Sequence, residues 1–149
     1  MKTTLSLLLL LTIILLFGCT NKPSNQINGS WKLIEAKWSS NDSVFYQYPG
    51  NIETMDGSWI VSNNYSIYLM KYNIKGDSTI IVDYSKSRIK VDNNSYTETY
   101  LLSNEKKLIG QSLSFSVRFK GDTLIFSGPL GNGKAISGYD LYEVFVREK

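Results

Sequence analysis

The 149-residue chain contains no histidine and only one cysteine. The first absence excludes histidine-activated nucleophiles, the common zinc sites and the usual general base of neutral pH. The second excludes an internal disulfide. Charge is nearly balanced, with 16 Lys and Arg against 13 Asp and Glu, so the basic excess that normally accompanies nucleic-acid binding is missing. No spacing sets two carboxylates across a cleft as glycoside hydrolysis requires, and no stretch repeats its apolar residues with the period of an amphipathic helix. Neither a catalytic residue nor a metal or other cofactor is expected.

What is present begins with an address. Met1-Lys2 is followed by an apolar run from Leu5 to Phe17, interrupted only by Ser6 and Thr12, and then by Gly18-Cys19. The run falls short of the ~20 apolar residues of a membrane span and reads as a signal peptide over residues 1–18. Leu16-Phe17-Gly18-Cys19 resembles a bacterial lipobox, although Phe17 stands where a small residue is more usual. The resemblance implies lipid attachment at Cys19. Export with a single unpaired thiol fits acylation better than oxidation. Residues 19–26 are polar and aperiodic and read as a flexible tether. Thr20 follows the cysteine and no acidic run comes after it, so sorting patterns of such lipoproteins imply the periplasmic face of the outer membrane.

From residue 27 onward the pattern is strand and turn. Between Ser112 and Lys120, Leu113, Phe115, Val117 and Phe119 alternate strictly with polar residues. Only an extended chain puts those four on one face. Gly121-Asp122 then turns the chain into a second run with Leu124 and Phe126, giving a hairpin. Gly76-Asp77 predicts another, joining Tyr65–Ile74 to Ser78–Tyr84, with Ile80, Val82 and Tyr84 on one face. Ser58–Ser62, Arg88–Val91, Tyr96–Leu102 and Tyr139–Arg147 are further strands, separated by turn signals. Eight or nine short strands make an antiparallel barrel or a sandwich.

Two segments break the spacing. Ser39 to Thr54 is long enough to be a lid over one end of the domain or a variable surface loop. Gly128-Pro129-Leu130-Gly131-Asn132-Gly133-Lys134-Ala135 mimics a phosphate-binding loop. Ala135 replaces the metal-binding hydroxyl there and strand-like alternation follows, so a glycine-rich hairpin loop is the reading. Lys86, Arg88 and Lys90 share one side of a strand and read as a solvated face.

The first strand carries the family signal. In Asn28-Gly29-Ser30-Trp31-Lys32-Leu33, Gly29 permits a positive-φ entry and Trp31 is a rigid plug able to bury roughly 200 Å². Gly-x-Trp at the start of the first strand resembles the lipocalin signature. With Gly121-Asp122-Thr123-Leu124 and the terminal Phe145-Val146-Arg147, residues 27–149 are similar to the lipocalin-like domains of small Bacteroidota-type lipoproteins. The resemblance implies an all-β, antiparallel up-and-down β-barrel of about eight strands. It also implies that Trp31 closes the base with Arg147 laid across its ring.

Ten tyrosines, six phenylalanines and three tryptophans are many for one small domain, and tyrosine suits cavities for amphipathic molecules. Trp59, Tyr68, Tyr72, Tyr100, Phe115 and Phe126 are the expected ligand-lining set. Glu98 and Glu143 are the carboxylates able to point inward. Since buried carboxylates are uncommon, exposure of Glu98 is the expectation. The function expected is noncatalytic binding of a small hydrophobic or amphipathic ligand by a lipid-anchored envelope protein. The alternative is a filled barrel that acts on an envelope protein partner through its outer surface.

Overall fold

The computed structural model describes residues 26–40, 43–92, 94–130 and 138–149. The signal peptide, Cys19, nearly all of the tether and residues 131–137 of the glycine-rich loop lie outside the described residues. Nine strands form one sheet: β1 Gly29–Ser40, β2 Ser43–Tyr48, β3 Ile52–Ser62, β4 Tyr65–Ile74, β5 Ile81–Asp92, β6 Ser95–Ser103, β7 Ser112–Lys120, β8 Thr123–Leu130 and β9 Tyr139–Arg147. β1 and then β3 through β9 each pair antiparallel with the next, and β9 returns to β1 from Trp31↔Arg147 to Ser39↔Asp140. The result is the expected all-β architecture, a closed eight-stranded antiparallel barrel.

β2 is the extra strand. β1 pairs with β3 only from Gly29 to Lys32, and from Ala36 to Ser40 the same edge of β1 pairs with β2. Most of the segment expected to be a lid or loop is therefore strand. Its alternating Val44, Tyr46 and Tyr48 suit a pleated surface, and Pro49-Gly50 turns the chain back. Gly57 sits where β1 and β3 part. A Cβ there would stand 2.9 Å from Leu33 Cβ, so the strands approach this closely only without a side chain.

A second correction concerns β5. The runs Ser78–Tyr84 and Arg88–Val91 belong to one continuous strand that starts at Ile81, because the polar Ser85 and Ser87 are inward-facing positions and not a turn. Ile80, Val82 and Tyr84, together with Lys86, Arg88 and Lys90, lie on the exposed face.

Bulges decide which residues face in. In β1 the ladder to β9 slips between Leu33 and Glu35, so inward parity changes from Trp31 and Leu33 to Ala36 and Trp38. The ladder of β6 slips opposite Lys86 and Ser87, and Ser103 replaces the even positions Tyr96, Glu98 and Tyr100 as the buried one.

The half of the barrel that holds the first and last described residues is filled. Trp31 is fully buried, donates from Nε1 to Ile27 O at 2.8 Å, and has the Arg147 guanidinium 4.2 Å from its ring centroid. Arg147 also donates to the carbonyls of Asn28 and Gln26. Gly29 has φ +134°, and a Cβ there would collide with Arg147 Nη1. Above this base an aromatic stack fills the lumen. Trp59 lies 5.4 Å from Tyr96 and 5.6 Å from Phe126, and Phe126 lies 4.5 Å from Phe115.

Candidate functional site

The other half of the barrel is hollow. A cavity of about 290 Å³ is floored by Trp59, Phe126 and Phe145 of the aromatic stack and meets solvent at the exposed Tyr84, Asn104 and Glu105, its mouth. β2 supplies part of the wall through Phe45 and Tyr46. Trp38 packs edge-on against Tyr46 at 5.5 Å and against Tyr72 at 5.6 Å, and Phe45 against Tyr139 at 5.2 Å. Edge-to-face contacts of this kind hold rings in fixed positions, so the wall is shaped before anything enters it.

Of the expected lining set, the structure brings Trp59, Tyr68, Tyr72, Tyr100 and Phe126 to this cavity. Phe115 is not among them. It points inward as its strand pattern requires, but it stacks beneath Phe126 inside the filled half. Trp38, Phe45, Tyr46, Leu108 and Leu141 were not anticipated. The bulge in β1 hid Trp38, and β2 hid the next two.

The polar content of the cavity is unusual. Glu98 is 7% exposed, so the expectation that it faces solvent is overturned. It is tolerated because Tyr96 donates to its Oε2 at 3.2 Å and Tyr100 donates to its Oε1. Tyr96 also reaches Ser66 Oγ at 3.1 Å. Ser87 Oγ is buried beside the carboxyl without completing a hydrogen bond. Removal from water dominates over these donors and pushes Glu98 up to about 7. Glu143, 5% exposed, accepts from Trp38 Nε1 at 3.2 Å. Burial, reinforced by the nearby charges of Glu98 and Asp83, pushes it up to about 7 as well. Burial likewise raises the Tyr68 and Tyr72 hydroxyls above their ordinary range. Among the described residues no cluster of acidic or cysteine side chains has the arrangement of a metal site.

Fold and site together define a class: a closed up-and-down β-barrel, filled at one end and hollow at the other, with a solvent-connected aromatic cavity. No protein-family model and no curated protein sequence matches the chain. Among solved structures it is similar to insecticyanin from the tobacco hornworm Manduca sexta, with 10% identity and a TM-score of 0.42 over 81% of this chain. The match spans 61% of that protein's length. A likeness of this strength assigns neither ligand nor activity.

Proposed function

We propose that this protein is a noncatalytic binder of a small hydrophobic or amphipathic molecule, exported and held by a lipid on Cys19 at the periplasmic face of the outer membrane. The observation that carries the binding reading is the cavity itself. A barrel of about eight strands can be packed solid, and this one leaves about 290 Å³ empty behind a rigid aromatic wall. That volume lies at the lower end of the range of small-molecule sites and has room for a compact ligand. The described chain enters beside Trp31 at the filled end.

Two carboxyls near pH 7 in one cavity are also the material of general acid–base chemistry. Both oxygens of Glu98 are occupied by tyrosine hydroxyls, which suits a fixed binding group better than a proton carrier. The protein-interaction reading has its own support. Ile60, Ile67, Leu69, Tyr84 and Leu102 are each 41 to 51% exposed on neighbouring strands of the outer face, and exposed apolar patches mark contact sites.

Native mass spectrometry of protein purified from its host membrane, with thermal melts against short aromatic and branched alkyl compounds, tests the binding reading. A co-purifying small molecule or a concentration-dependent rise in Tm is expected. No bound mass and no shift with any compound would move the function to the outer surface.

A further inference from the structure

The lining of the cavity includes Asp83, Glu98, Glu105 and Glu143 but, among the described residues, no lysine or arginine. Glu143 shows what is missing. Its Oε1 accepts from Trp38, and the Tyr68 hydroxyl, which donates to Met70 Sδ at 3.2 Å, is close enough to stabilise the carboxylate; both partners are neutral. A buried carboxylate with no counter-ion is costly, and the cost is relieved by a cation that arrives from outside. The aromatic lining, Trp38, Tyr46 and Tyr72 among it, suits the same charge, because ring faces attract an ammonium group electrostatically. The summed field of the four acids concentrates cations at the mouth and repels anionic amphiphiles.

We propose that the cavity selects a small protonated primary amine on a compact aromatic or branched hydrocarbon body, with the ammonium between Glu143 and Glu98 and the body against Trp38, Phe45 and Tyr72. This rests on the binding reading given above and narrows it to one head-group chemistry. The titratable groups around the pair are Tyr46 on β2, Tyr68 and Tyr72 on β4, Asp83 on β5, Tyr96 and Tyr100 on β6, Glu105 beyond β6 and Tyr139 on β9. The tyrosines stay neutral throughout the accessible range. Between pH 5 and pH 8 it is Glu98 and Glu143 that lose protons, so amine affinity should rise across that window.

The test is calorimetric titration of the purified protein with 2-phenylethylamine, 2-phenylethanol and 3-phenylpropionate at pH 5 and pH 8. At pH 8 the amine should bind at least tenfold more tightly than the alcohol, and the acid should not bind. At pH 5 the preference for amine over alcohol should shrink by tenfold or more. Glu143→Gln should lose the same preference at pH 8 and keep the alcohol affinity. If that variant does not fold, the comparison of head groups and pH on the natural protein decides alone. Binding of the alcohol or the acid as tightly as the amine at pH 8 overturns the head-group assignment and leaves hydrophobic binding standing. Silence from all three compounds overturns the cavity as a binding site, and the amine proposal with it.

Discussion

Glu98→Gln and Glu143→Gln are the perturbations that best separate a purposeful cavity from an accident of packing. Each carboxyl ionises near 7 in the folded protein, against an ordinary value of 4.5. Between those two values the native state holds more protons than the unfolded chain. Stability conferred by the protonated form is therefore complete below about pH 4.5 and is lost as pH rises through 7, the reverse of a salt-bridged acid. At ~1.4 kcal/mol per pH unit, about 2.5 units correspond to at most about 3.5 kcal/mol for each group. Since part of the Glu143 shift comes from the charge of Glu98, the two do not add, and we expect a combined loss of about 2 to 4 kcal/mol between pH 4.5 and pH 8. Asp77, which is exposed and held below its usual value by hydrogen bonds from Thr79, acts in the opposite direction but at lower pH. Urea denaturation at pH 4.5, 5.5, 6.5 and 8 measures the effect. The single variants should each flatten the profile, and Glu98→Gln with Glu143→Gln should abolish the fall. A natural protein whose stability rises across this window, with the same slope in the variants, would refute the assignment of buried, electrostatically unmatched carboxyls.

Trp31→Ala should cost about 3 to 5 kcal/mol in urea denaturation, since it empties the barrel base, while Arg147→Ala should cost less; a Trp31→Ala protein as stable as the natural one would show that the ring is peripheral. Gly57→Ala should cost about 1 to 3 kcal/mol through its collision with Leu33. Leu33→Gly, which removes the Cβ as well, should reduce that penalty in a double-mutant cycle, and strict additivity would contradict the contact. Cys19→Ala should remove the protein from the membrane fraction or leave it unprocessed, because stable attachment requires acyl chains; a natural protein found wholly soluble and unacylated would end the anchor proposal.

The strands with unbroken alternation were legible from residues alone. Ser112–Lys120 is β7 to the residue, and Tyr139–Arg147 is β9. What was not legible follows from bulges and from polar interior positions. Trp31 and Trp38 are seven apart, a spacing that no regular strand can bury on both counts, and only the slip near Ile34 reconciles them. Ser85, Ser87 and Glu98 look like surface or turn residues because hydrophobicity is the signal that marks an interior, whereas here part of the interior is polar. Tyr96 and Tyr100 on either side of Glu98 were the available clue, since two hydroxyl donors can neutralise the cost of the acid between them. Phe115 faced the lumen as read, but its height within the lumen depends on register along the barrel axis, which alternation does not encode.

The seam between β1 and β9 differs in kind from the other ladders. Every other pairing joins strands adjacent in the chain or separated only by the β2 hairpin, whereas Trp31↔Arg147 joins positions more than a hundred residues apart. Closing a loop of that size costs about 4 kcal/mol beyond a constant, and no other ladder in the barrel meets a comparable charge on chain entropy. Contact order in this molecule is thus concentrated in a single line of hydrogen bonds, sealed at one end by the Trp31 and Arg147 pair. Because the first and last described residues lie together there, with Glu148 N donating to Ser30 O at 2.9 Å, a short peptide linker between them could make the seam a local connection. New termini at the Gly76-Asp77 turn would then move the long-range closure to the β4 and β5 ladder and leave the aromatic base intact.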